Sequence, residues 1–240
     1  MPEETQGADP VYLFSGEFYE SVVDLRIPGR GVDFVWARKY RSKVGPSTRQ
    51  GNGWDCSYYV FLESGGRDLV VHDGNSRGDV YGRQADGTWG KKEFFRVIVK
   101  NVDNSYTLTF PDQGTWRFNP FDGTSSAGRL ARSADRNGNS MAFHYDAQGR
   151  LDRVTDTLNR DILIGYNGQG FVANVTDFVG RVVRYQYYDG SEPGGSFGDL
   201  KSVTSPAVTN TPNANDFPNG KRRLTPIRPG LPTSGLITIC

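Results

Sequence analysis

One period governs the centre of this sequence and limits what it can fold into. Gly128-Arg129-Leu130 returns 21 residues later as Gly149-Arg150-Leu151 and, after the same step, as Gly170-Phe171-Val172. The step also carries Asp135 to Asp156 to Asp177, Phe143 to Ile164 to Tyr185, and Tyr145 to Tyr166 to Tyr187. Several residue classes holding one period at different offsets mark stacked supersecondary units, each too small to bury its apolar face alone.

Within a unit, Met141, Phe143 and Tyr145 alternate with Ala142 and His144, the two-residue period of a strand with one buried face. Ile162, Ile164 and Tyr166 repeat the pattern, as do Val183, Tyr185 and Tyr187. Each strand then meets Asp146-Ala147-Gln148-Gly149 or Asn167-Gly168-Gln169-Gly170. The first side chain of such a turn caps backbone N–H groups, and the fourth residue accepts the exit dihedral of a type I turn. Asp135-Arg136-Asn137-Gly138, Asp156-Thr157-Leu158-Asn159 and Asp177-Phe178-Val179-Gly180 supply turns for the other end. A lone hairpin is marginal in water, so the expected fold is all-β: an open, twisted antiparallel sheet of stacked β-hairpins. About three and a half units are present, enough for a partial β-shell and too few for a closed vessel. The stretches around Pro120-Phe121-Asp122-Gly123 and Ser191-Glu192-Pro193-Gly194-Gly195 break the period and read as enlarged loops.

The stretch from Val11 to Tyr40 also reads as strands, punctuated by Gly16 and Pro28-Gly29-Arg30-Gly31, and no segment has a helical period. With 28 basic and 27 acidic residues the net charge is +1, so no field of one sign draws nucleic acid or anionic lipid. Cys56 and Cys240 are the only cysteines, which gives neither a disulfide framework nor a paired-cysteine metal site. The opening MPEETQGADP lacks the basic and apolar regions of a signal peptide, and no apolar run approaches the length of a membrane span.

Two sets of residues carry a resemblance to a known family. The first is Asp9-Pro10-Val11, Gly16-Glu17-Phe18, Asp24-Leu25, Ile27-Pro28-Gly29-Arg30-Gly31, Arg38, Tyr40 and Ser42, followed by Gly51, Gly53-Trp54 and Ser57-Tyr58. The second is Tyr145-Asp146-x-x-Gly149-Arg150-Leu151. Together they resemble the RHS/YD-repeat proteins of bacteria: a preceding domain of the DUF6531 type, then YD repeats. The resemblance implies a domain at 9–112, repeats at 114–206 and an irregular tail at 207–240. It implies a non-catalytic part of a hollow β-shell, secreted or displayed at the cell surface, that encloses a C-terminal toxin. The implied partners are further repeats, the toxin and a secretion apparatus. Related surface proteins suggest the alternative of a module binding carbohydrate or a partner cell. The self-cleavage segment that ends many such shells, Asp-Pro-x-Gly-Leu, has no match: Asp9-Pro10 lies at the other end, and Pro229-Gly230-Leu231 lacks the acid.

From Lys221 to Cys240 the alternation fails. Either the tail is flexible, or the reading frame shifts near Lys221, since codons for Arg222 to Arg228 read in another frame can spell Thr-Thr-Thr-Tyr-Thr-Tyr-Ser, the next expected strand. The coding DNA distinguishes these.

Candidate chemistry is thin. His72 and His144 are the only histidines, and sequence brings neither a nucleophile nor a carboxylate to them. Asp135, Asp146, Asp156, Asp177 and Asp189 recur at turn positions, which fits backbone capping better than catalytic or calcium-binding carboxylates. Cys56, among aromatic residues, reads as a buried small hydrophobe. Trp36, Trp54, Trp89 and Trp116 read as core more readily than as a sugar-stacking platform, because none recurs with the period. No cofactor is expected.

Overall fold

The computed structural model describes residues 11–12, 16–212 and 215–225. Four strands, β1 (Val11–Tyr12), β2 (Glu17–Ile27), β3 (Phe34–Arg41) and β4 (Trp54–Cys56), form a small antiparallel sheet in chain order. The remaining fifteen form one open sheet, also in chain order. They are β5 (Val60–Gly65), β6 (Asp68–Asp73), β7 (Gly78–Arg83), β8 (Trp89–Lys91), β9 (Arg96–Lys100), β10 (Tyr106–Thr109), β11 (Thr115–Phe118) and β12 (Leu130–Ala134). The series continues with β13 (Ser140–Tyr145), β14 (Leu151–Thr155), β15 (Asp161–Tyr166), β16 (Val172–Thr176), β17 (Val182–Tyr187), β18 (Leu200–Thr204) and β19 (Arg222–Leu224). The only helix among the described residues is one 3-10 turn, Lys92–Phe94. The fold is all-β, as the period predicts, and the large sheet crosses residues 112–114 without a break. It curls until Leu62 N–H donates to Gly128 O at 2.8 Å, beside a single bridge between Phe61 and Arg129, and does not close into a barrel.

The 21-residue step has a structural cause that alternation alone does not supply. Pairing slips by one residue at Tyr145↔Leu151, at Tyr166↔Val172 and at Tyr187↔Leu200. Each slip is a β-bulge. In a regular strand, residues three apart point to opposite faces. The bulge lets Leu151 and Val154, Val172 and Val175, and Leu200 and Val203 all turn inward, and Val154 and Val175 are fully buried. The spacing Leu-x-x-Val is its sequence trace.

The two sheets share one apolar core. Leu25, Ile27, Phe34, Trp36 and Trp54 of the small sheet join Phe143, Val154, Ile164, Val175 and Tyr185 of the large one. The segment 207–240, expected to be irregular, contributes β19, whose three residues are exposed and pair with Ser202, Val203 and Thr204. The rest of the tail, 226–240, lies outside the described residues, as do Asp9 and Pro10.

Candidate functional site

The repeat turns are built by their first side chain. Asp146 Oδ1 accepts the N–H groups of Gln148 and Arg150, both at 2.9 Å, and Oδ2 takes the Arg150 guanidinium at 2.6 Å. Asp156 does the same for Leu158 and Arg160, and Asp177 for Val179 and Arg181. Asp135 uses Asn139 in place of arginine, while Asn167 caps Gln169 and Phe171. The fourth residue has positive φ in every case, from +58° at Asn159 to +86° at Gly170. Burial by itself would raise the Asp146 and Asp156 pKa values, but the hydrogen bonds from Arg150 and Arg160 outweigh it and hold both carboxyls below their usual range. The locking arginines at 160 and 181 escape a reading by residue identity, because Arg150 alone sits inside the Tyr-Asp signature; their signal is the residue four places after each turn aspartate.

The signature tyrosine ties one repeat to the previous one. Tyr145 O–H donates to Leu130 O at 2.7 Å, and Tyr166 O–H to Leu151 O at 2.8 Å, each reaching back 15 residues. Burial pushes both phenols well above their usual range. Tyr187 holds the equivalent place, but its buried hydroxyl has no partner.

The small sheet lies across the inner face of the repeats like a strap fastened at both ends. At one end the Pro28–Gly31 turn meets the aspartate turns: Arg30 N–H donates to Thr157 Oγ1 at 2.6 Å and Pro28 O accepts from Arg160, while Gly31 sits so close that an added Cβ would come within 2.3 Å of Asp135 Oδ2. At the other, the loop before β4 reaches the opposite turns. Val172 N–H donates to Arg49 O at 2.8 Å and Asn52 N–H to Gly198 O at 3.0 Å. Between them, Arg38 and Asp24 form an ion pair at 2.7 Å whose side chains are 4% and 5% exposed. Tyr185 O–H donates to the same Asp24 oxygen at 2.9 Å, and the Arg38 guanidinium lies 4.5 Å from the Trp54 ring. Tyr40 packs on Trp54, with Gly53 against the Tyr40 ring, and Tyr58, packed among Phe34, Trp36 and Phe143, accepts the Val35 N–H on its hydroxyl oxygen at 2.8 Å. Leu25 is buried beside them. The first motif set therefore meets the repeats: Asp24, paired with Arg38, accepts from Tyr185.

Residues that suggested chemistry lie elsewhere. His72 stacks on Phe61 at 4.1 Å and pairs with Glu63, while His144 touches Thr155 Oγ1 at 3.2 Å. Burial first, and Asp55 second, push the Cys56 thiol up to about 12, which keeps it protonated and unreactive at neutral pH. Cys240 lies outside the described residues. Asp55 is buried between the N–H groups of Cys56 and Ser76, and burial pushes its carboxyl up to about 6. Among the described residues no three histidine, cysteine, aspartate or glutamate side chains are grouped to hold a metal, and no helix is long and apolar enough to cross a membrane.

Two family comparisons agree with this division of labour. Residues 8–81, the small sheet and the first strands of the large one, match a domain of unknown function, DUF6531. Residues 125–160, spanning β12 to β14, match the RHS repeat. No curated protein matches the chain significantly. RHS repeats are structural elements that occur in series within larger proteins, typically extracellular or at the cell surface. The strap, the bulged hairpins and these two matches make the chain an RHS/YD-repeat protein with a DUF6531 domain.

Proposed function

We propose that this chain is a non-catalytic segment of an RHS-type β-shell which, continued by further repeats, encloses and delivers a C-terminal toxin from a secreted or surface-displayed protein. One observation carries the reading: a single meander of fifteen strands is held curved by a strap that bonds to both rows of repeat turns. A twisted sheet that is curved and growing by hairpins is the geometry of a wall. On this reading 9–112 founds the wall and fastens the strap, 114–206 extends it, and the aspartates, tyrosines and arginines of the signature are its rivets. Trp36, Trp54 and Trp89 lie in the core at 1%, 1% and 4% exposure. They support a wall better than a sugar-stacking platform, for which only half-buried Trp116 is left.

Limited proteolysis of the protein encoded with its downstream sequence tests the proposal. The downstream domain should resist cleavage in the intact protein and become sensitive when Arg38→Leu loosens the strap. Equal cleavage of that domain inside and outside the full protein would overturn it.

A further inference from the structure

A small cavity lies beneath the loop that fastens the strap to the repeats. Its volume is about 30 Å³, room for two or three water-sized atoms at roughly 10–15 Å³ each. Trp36, Arg49, Gln50, Arg129, Arg150 and Tyr166 are among its walls, and no aspartate or glutamate is. Gln50 is 1% exposed, and neither its Nε2 nor its Oε1 has a hydrogen-bond partner. The side chain is held there by its backbone: Gln50 N–H donates to Thr48 Oγ1 at 3.0 Å, Thr48 O–H to Trp54 O at 2.6 Å, and Val172 N–H to Arg49 O at 2.8 Å. Trp36, also 1% exposed, has an indole N–H without a partner.

Charge in the walls is one-sided. Arg150 is neutralised by Asp146 at 2.6 Å. The Arg49 guanidinium makes one hydrogen bond, to Gly170 O at 3.3 Å, and Arg129 lies over the Tyr59 and Phe61 rings. Neither has an ion-pair partner among the described residues. Buried donors without acceptors are costly, and a positive field is strong where water is excluded.

We propose that this cavity binds a carboxylate. A carboxylate is planar, has three heavy atoms and offers only acceptor oxygens, which matches the volume and the N–H groups of Gln50, Trp36 and the guanidiniums. Arg49, most of whose five N–H donors are uncommitted, stands in the same wall. Because the walls come from the strap and from two repeats, occupancy would tighten the strap on the sheet. The carboxylate is that of a small free acid.

Thermal unfolding of the whole chain at pH 7, in sodium acetate against sodium chloride of equal ionic strength, tests this. Acetate should raise Tm by about 3–5 °C for each tenfold excess over its dissociation constant, and Gln50→Leu and Arg49→Gln should each abolish the rise. The proposal fails if the wild type does not respond, if acetamide raises Tm as much as acetate, or if the rise survives in either cavity variant.

Discussion

Eight of the eleven connections between β7 and β18 use one backbone turn, yet write it in two ways. At Gln84, Asn101, Phe110, Asp135, Asp146, Asp156, Asn167 and Asp177 the first N–H donates to the carbonyl four residues on, and its carbonyl accepts from the residue three on. This is a three-residue hairpin loop closed by a left-handed residue. In the repeats the capping side chain stands first, and an arginine or asparagine at the fifth place commonly locks it. In the earlier turns it stands third: Asp86, Asp103 and Asp112 cap the N–H groups of Thr88, Ser105 and Gly114. The geometry is shared, but only in the first form does the turn's own fifth residue lock the cap, because an aspartate in first place has both oxygens inside the turn; Asp103, in third place, instead takes Arg117 of β11. Regularity of structure thus extends further along the chain than regularity of sequence.

The largest expected effect is on the core that both regions share. Tyr166→Asp removes a partly buried ring packed against the core and sets a carboxylate against Leu151 O, and should cost about 3–5 kcal/mol of unfolding free energy. Denaturant melts that change by less than about 1 kcal/mol would remove Tyr166 from the core. Arg38→Leu comes next. It strands buried Asp24 and should cost about 3–4 kcal/mol, with Asp24→Asn added to it restoring most of the loss. Hydrogen exchange should rise in β2 to β4 first, and uniform rise across β13 to β17 would show that strap and repeats are not separable.

The pH profile separates the regions by sign. Asp55, in the strap, has a folded pKa of about 6 against 3.8 for the free side chain. Its contribution is therefore full at and below pH 4, is lost as pH rises from 4 to 6, and stays lost above. Asp55→Asn should remove that slope, a difference of about 3 kcal/mol at pH 7 relative to pH 4. The repeat carboxylates at 146 and 156 are lowered, so theirs is present above about pH 4 and lost as pH falls below it. A profile in Asp55→Asn that still declines between pH 4 and 6 would reassign the group. The smallest effect sharpens the turn comparison itself: Asp156→Ala should cost about 2 kcal/mol, while Asp112→Ala, which removes only the cap on Gly114 N–H, should barely move the midpoint. Equal shifts would mean that the lock adds nothing to the cap.

Much was legible from residues alone because the relevant physics is local. Alternation placed Met141, Phe143, Ile162 and Ile164 inward, where they are buried. Aspartate before Gly or Asn placed the turns, since the cap bonds span at most four residues. The bulge was hidden, because alternation written for one strand does not report pairing with the next. The turns at Gln84 and Phe110 were hidden too, because the capping residue had moved two places and broken the period.

Sequence by itself determined the unit, a bulged hairpin whose turn and inward face are encoded within its own residues. It also brought Asp24 and Arg38 into view as motif residues without giving them a task. Only the tertiary structure decided that task, since Tyr185, which donates to Asp24, lies more than a hundred residues away in the chain, as Thr157 does from Arg30 and Gly198 from Asn52. No short-range pattern links residues at that distance. Their meeting depends on how far each bulged hairpin turns the sheet, which is a property of the assembled stack and not of any one repeat.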